Sequence, residues 1–166
     1  MTVPLTIRTA TQADRPQLRH AVVELQEYER RQHPTRLPGE QIADAYLDWI
    51  ERETAAMGAL LVGEIDGNFA GFVAGWVDQA ANIAETADSN RFGLISDICV
   101  MPEFRGRRVA ARLIHAMEQR LFRAGVTRLR VTALASNRSA RLSYEHAGFA
   151  AYEVVYEKQI GVRDNE

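Results

Sequence analysis

The sequence predicts one mixed α/β domain in which strands and helices alternate. Three observations predict it. Period-two and helical apolar patterns follow one another along the chain with no linker, repeat or low-complexity tract between them. Two apolar runs flank Asp66 and Gly67, a pair suited to the positive φ angles of a tight hairpin. A further apolar run, "GLISDICV", leads through a short turn straight into an amphipathic helix. With 166 residues, 46 % hydrophobic and 25 % charged, the chain suffices for one core and is short for two. Residues 1–160 are therefore expected as a single domain and 161–166 as a frayed tail.

The elements follow in order. "LTIRTAT" alternates and reads as a strand, and Asp14 is placed to cap the next helix, with Pro16 in its first turn. That helix carries Leu18, Ala21, Val22 and Leu25 at helical spacing. Two prolines and a glycine in "RRQHPTRLPGE" break it. A second helix over residues 40–56 sets Ile42, Ala45, Tyr46, Trp49 and Ile50 on one side. The hairpin comes next, then a polar, aperiodic stretch over 78–91 that reads as a mobile loop. "GLISDICV" is a strand, and the helix after its turn runs over 107–124 to Gly125. "TRLRVTAL" is a strand, "SNRSARLSYEHAG" a capped helix, and "FAAYEVVYEKQI" the last strand. The order is β-α-α-β-β-β-α-β-α-β.

Composition narrows the function classes. A net charge of −2 gives no reason to expect nucleic acid or an anionic membrane as partner. The opening "MTVPLTIRTA" has no apolar signal core, and no run reaches the roughly 18 residues of a membrane span. The single cysteine, Cys99, excludes an internal disulfide and a cysteine-rich zinc site, and its strand neighbours suit a small core hydrophobe. The expectation is a reduced, cytoplasmic protein without a bound metal.

One local feature stands out against that even charge. Arg105, Arg107, Arg108 and Arg112 crowd the turn where a helix begins. A helix start already presents unpaired N–H groups and about half a positive charge. Each added cation there costs about 0.3–1 kcal/mol, and a bound polyanion reverses that sign. Taken alone, the residues leave two readings level: a phosphate site, or a solvated basic turn paired with carboxylates such as Glu103.

"VMPEFRGRRVAARL" resembles the acetyl-coenzyme A signature of the GNAT (Gcn5-related N-acetyltransferase) superfamily. That signature runs Arg or Gln, two residues, Gly, one residue, then Gly or Ala, after a strand ending Val-x-Pro. Val100, Pro102, Arg105 and Ala110 match. Arg108 stands where glycine is usual, and a negative φ with an outward side chain is expected of it. "NRSARLSYEHAGF" is similar to the second GNAT segment, with Asn137, Ala140, Tyr144, Gly148 and Phe149 in register. The opening strand and helix and the central hairpin resemble the family too, so the likeness covers almost the whole chain.

The resemblance implies a GNAT fold: a central, mostly antiparallel mixed sheet, a splayed parallel strand pair and helices on both faces. It implies acetyl-coenzyme A as co-substrate. The cofactor would be held by Ile98, Cys99 and Val100 of the strand, by Arg105, Gly106, Arg107 and Arg108 of the turn, and by Val109, Ala110, Ala111 and Arg112 of the helix. Asn137, Ala140 and Tyr144 would complete that set. Tyr144 would protonate the departing thiolate, a phenol of pKa about 10 acting on a thiol of about 8.5. The amide of Val100 would polarise the thioester carbonyl.

Asp97 is the leading candidate for the base that takes the amine's proton, against a strand carboxylate facing solvent or paired with an arginine. Glu64 is a weaker one. In this family the segment between the first two helices, with Glu27, Tyr28, Glu29 and His33, and the loop with Asp78, Glu85 and Asp88 shape the acceptor cleft. Tyr28, Glu29 and Asp97 are the expected acceptor contacts, for a small amine or a peptide amine. Dimers are common in the superfamily, and "FAAYEVVYEKQI" could supply a shared edge in a homodimer. The alternative is a non-catalytic relative that binds an acyl-coenzyme A for a regulatory or structural role. A doubly wound nucleotide-binding module lacks its glycine motif after the first strand.

Overall fold

The computed structural model describes residues 4–160. The predicted tail, residues 161–166, lies outside the described residues. Five strands form one sheet in the order β1 to β5, where β1 is Leu5–Thr9, β2 Gly58–Ile65, β3 Asn68–Gln79, β4 Arg91–Val100 and β5 Leu129–Val131. The first three pairings are antiparallel and β4–β5 is parallel. The helices are α1 (Arg15–Arg30), α2 (Gly39–Met57), the single turn α3 (Ala87–Asn90), α4 (Val109–Arg123) and α5 (Arg138–His146).

Alternation along the strands builds a core on each face of the sheet. Leu61, Val73 and Ile95 pack with Leu113, Ile114, Met117 and Leu121 of α4. Leu60, Val62, Phe72 and Ala74 pack on the other face with Leu18, Ala21 and Val22 of α1 and Ala43, Leu47 and Ile50 of α2. The hairpin turns at Asp66 and Gly67 with φ of 53° and 75°, as their pairing predicts.

Four expectations change. Asp14 occupies the cap position of α1, yet its carboxylate accepts from the Thr11 N–H at 2.7 Å and from Arg8 at 2.7 Å. Arg8 also donates to Glu64, so one guanidinium of β1 ties Asp14 to Glu64 of β2, and the Asp14 side chain does not cap the helix. The stretch over 78–91 is a folded connection. Asn82 and Asn90 bond reciprocally at 3.0 and 2.8 Å, and Ala80 donates to the Asn90 carbonyl. β5 spans three residues where eight were predicted. Residues 150–160 form no strand and are exposed, because no described strand lies beside them to take their backbone groups.

The feature that positions the site is a bulge in β4. Ala74 pairs with Asp97 and Gly75 with Ile95, which leaves Ser96 as an extra residue. Ile95 therefore faces α4, whereas Cys99 and Met101 face α1 and α2. Gly75 permits this: a Cβ there would stand 2.7 Å from the Leu94 carbonyl oxygen. The parallel pairing of β4 with β5 stops at Ile95 and Val131, and beyond it the two strands part.

Candidate active site

A cleft of about 810 Å³ opens where β4 and β5 separate. Ser96 to Val100 form one wall, Thr132 and Ala133 the other, with the starts of α4 and α5 and the end of α1 closing the ends. Met101 donates its N–H to Ala70 on the β3 side. Backbone groups alternate along a strand, so those of Ile98 and Val100 turn toward the cleft.

The turn after β4 presents the start of α4 to this cleft. Arg112 is the first residue of α4 whose N–H finds an intrahelical acceptor, the Arg108 carbonyl at 3.2 Å. The N–H groups of Val109, Ala110 and Ala111 precede it with no side-chain cap and no acidic residue in the first turn. All three residues line the cleft, together with Arg105, Gly106 and Arg108. Gly106 has φ 75° and Arg108 φ 60°, ψ 20°. The negative φ expected of Arg108 is thus corrected: the arginine adopts the left-handed conformation that a glycine would take with less strain. That conformation bends the chain into α4 while the side chain stays exposed at the cleft.

The four arginines divide. Arg105 donates Nε–H to the Val100 carbonyl at 3.1 Å, and its guanidinium lies 5.9 Å from the Tyr28 ring centre. Arg112 donates to the Leu5 carbonyl at 2.8 Å, and Arg107 lies over the Phe104 ring at 5.6 Å. Neither Arg107 nor Arg112 lines the cleft. Arg112 instead ties α4 to the first strand.

Asn137 caps α5, accepting the Ala140 N–H on Oδ1 at 3.1 Å. The capped helix points Ala140, Ser143 and Tyr144 into the cleft. The Tyr144 ring is half-buried with its centre 6.0 Å from that of Phe149. Burial pushes its phenol up to about 12, with the charges of Glu29 and Asp97 adding to the rise.

Asp97 is neither solvated nor paired with an arginine among the described residues. It is 6 % exposed, and its Oδ1 accepts from the Tyr46 hydroxyl at 2.9 Å while Ser96 donates to Oδ2. Burial raises its pKa above the ordinary carboxylate value, the two hydroxyls oppose the rise, and Glu29 adds to it. From α1, Glu24, Leu25, Tyr28 and Glu29 continue the core stripe of the helix by one turn and line the acceptor end. Glu29 is held by Arg36 at 2.7 Å. The Cys99 thiol is buried and pushed up to about 12, so it stays protonated and serves as packing.

Several candidates lie elsewhere. Glu27 accepts the Gly39 N–H at 2.7 Å and sets the start of α2. His33, Asp78, Glu85 and Asp88 do not line the cleft, and Asp88 pairs with Arg128 at 2.7 Å. Glu64 is committed to Arg8. Sequence reasoning missed Glu24, Ser96 and the role of Tyr46. The signal for Ser96 was Gly75, an isolated glycine within a strand pattern, which marks a bulge.

Residues 22–149 match the model of the acetyltransferase (GNAT) family. The chain belongs to that family. No curated protein sequence matches it. Among solved structures it is similar to aminoglycoside N-acetyltransferase AAC(6')-Iy in complex with CoA, at 19 % identity and TM-score 0.71 over 96 % of each chain. The same enzyme with the bisubstrate analogue CoA-S-monomethyl-acetylneamine gives 18 % and 0.70 over 94 % of this chain and 98 % of that one. A structure described as a transcriptional regulator from Bacillus halodurans C-125 gives 16 % and 0.72 over 95 % and 100 %. At these identities the likeness is one of fold, and this GNAT domain shares its sheet and helix arrangement with proteins of different descriptions.

No helix among the described residues is long and apolar enough to cross a membrane, and no His, Cys, Asp and Glu group there could hold a metal ion.

Proposed function

We propose that this GNAT protein is an N-acetyltransferase that carries the acetyl group of acetyl-coenzyme A to a cationic amine. The observation that carries the reading is the pairing, in one cleft, of an uncapped helix start flanked by Arg105 and Arg108 with a buried Asp97 and a half-buried Tyr144. The free N–H groups of Val109, Ala110 and Ala111 suit a diphosphate, with the two guanidinium groups completing the charge balance. The exposed backbone of Ile98 and Val100 and the small Ala140 suit the pantetheine arm. The CoA complexes of AAC(6')-Iy support this cofactor.

The acceptor enters from the α1 side, where Glu24, Glu29 and Asp97 attract a cation. Asp97, with its raised pKa, takes the amine's proton; the amine nitrogen bonds to the acetyl carbon and the C–S bond breaks. Tyr144 gives its proton to the sulfur. Burial pushes its phenol in the unhelpful direction, and the charges of Glu29 and Asp97 add to the rise. A bound cation offsets Glu29 and Asp97 and so removes the smaller, charge-based part of that rise. Acceptor binding thereby eases proton release from the phenol in part.

The reading places the protein as a soluble cytoplasmic enzyme with a small-molecule or peptide amine as acceptor. Free-thiol release from acetyl-coenzyme A, measured against a panel of polyamines, aminoglycosides and lysine peptides, tests it. Amine-dependent release supports the reading. Tight coenzyme A binding with no release from any amine would favour the non-catalytic alternative.

A further inference from the structure

We infer that Tyr46 is a positioning residue: its hydroxyl, carried by α2, holds the Asp97 carboxylate of β4 ionised and turned to the cleft. The inference rests on the reading of Asp97 as the base. Tyr46 does not itself line the cleft, so it acts on an acceptor amine only through Asp97.

Tyr46 donates to Asp97 Oδ1 at 2.9 Å, and Ser96 donates to Oδ2. Among the described residues these are the two hydrogen bonds that reach the carboxylate. Each oxygen keeps a lone pair for a further proton. Burial works against a charge at this site, and Glu29 adds to the effect. The two O–H donors oppose both, because they favour the charged form. Tyr46 keeps its own proton: burial first, then the Asp97 charge, hold its phenol far above the usual value. It therefore remains a donor across the neutral range.

A chain of rings fixes where that donor stands. The Tyr46 and Trp49 ring centres lie 5.3 Å apart, and Trp49 meets Trp76 edge-on at 5.3 Å. Trp76 is buried on β3, two residues from Ala74, the register partner of Asp97. The path thus runs from β3 through three rings and one hydroxyl to β4 alongside. Packing α2 on the sheet needs only the rings; the hydroxyl adds the hold on Asp97. Of the other titratable groups, Glu29 of α1, Cys99 of β4 and Tyr144 of α5 interact with Asp97 through charge. Glu24 and Tyr28 of α1, Arg105 and Arg108 of the turn and His146 of α5 line the same cleft. Among the described residues none of these donates a hydrogen bond to Asp97, so none duplicates Tyr46.

Tyr46→Phe removes the hydroxyl and keeps the ring, so the near-ultraviolet circular dichroism of Trp49 and Trp76 should match wild type. Carbon-13 titration of the Asp97 carboxyl in the full ligand-free chain, its signal assigned by loss in Asp97→Asn, reads the effect without turnover. Losing a donor to the charged form should move the midpoint up by about 1–2 pH units. An unmoved midpoint overturns the inference. The rising limb of kcat/KM should move up by the same amount, with activity restored at high pH and coenzyme A affinity unchanged. A profile lowered at every pH, with limb and midpoint both in place, is a loss of packing and overturns the inference as well. A midpoint that moves while the limb stays supports the hold on Asp97 and overturns instead the assignment of Asp97 as the base.

Discussion

At Arg108 an arginine side chain sits on a left-handed backbone with φ 60°, at the point where the chain enters α4. For a residue with a Cβ that conformation costs about 1 kcal/mol. Arg108→Gly should therefore raise the melting temperature of the ligand-free protein by about 2–4 °C while weakening coenzyme A binding, because a phosphate-facing cation is lost. Calorimetric melting and coenzyme A titration of the same variant check both halves. Tyr144→Phe should lower kcat by about 10²–10⁴-fold with coenzyme A affinity unchanged, in steady-state and binding measurements. Asp97 has a raised native pKa, so its protonated form is favoured in the folded state. Activity that needs the carboxylate should rise with pH through a limb displaced above the ordinary carboxylate range. Asp97→Asn should flatten that limb in kcat/KM. The same shift makes Asp97's contribution to stability fall as pH rises from the unfolded carboxylate value to the raised native one, and Asp97→Asn should abolish that fall.

Among the elements, β4 decides the most, because one extra residue turns Asp97 from the α4 face to the cleft. Gly75→Ala would push a methyl against the Leu94 carbonyl oxygen at 2.7 Å and Met117 Sδ at 3.1 Å. The expected cost is about 1–3 kcal/mol, read as a lower denaturant midpoint, together with weaker coenzyme A binding as the strands re-register. The helices were legible in the sequence since their signals are local. Gly125 and Gly148 end α4 and α5 with φ of 85° and 91°, and Asn137 caps α5 where its spacing placed it. The bulge was not legible, because it exists only in the pairing of β3 with β4. Tyr46 shows the same limit. Helical spacing put it on the α2 face that packs inward, but only the bulge brings Asp97 under its hydroxyl. Glu24 was overlooked because a polar residue beside a core stripe reads as surface until the sheet beyond it opens.

The whole molecule is a sheet with one seam left open, covered by α1 and α2 on one face and α4 on the other. The family motifs pointed to that seam, and the residues expected to hold the cofactor line it except Arg107 and Arg112. Residues 150–160 alternate in part as a strand does, yet they form none, because pairing depends on a neighbouring strand that periodicity within one segment does not reveal. The account depends on the start of α4 receiving a diphosphate and thereby aiming a thioester at Tyr144. The direct measurement is a crystal structure with coenzyme A bound. Diphosphate oxygens within hydrogen-bond distance of the Val109, Ala110 and Ala111 amides, with the thiol beside the Tyr144 hydroxyl, are the predicted result. Coenzyme A bound elsewhere, or the seam filled by the Arg108 side chain with the cofactor in excess, would contradict it.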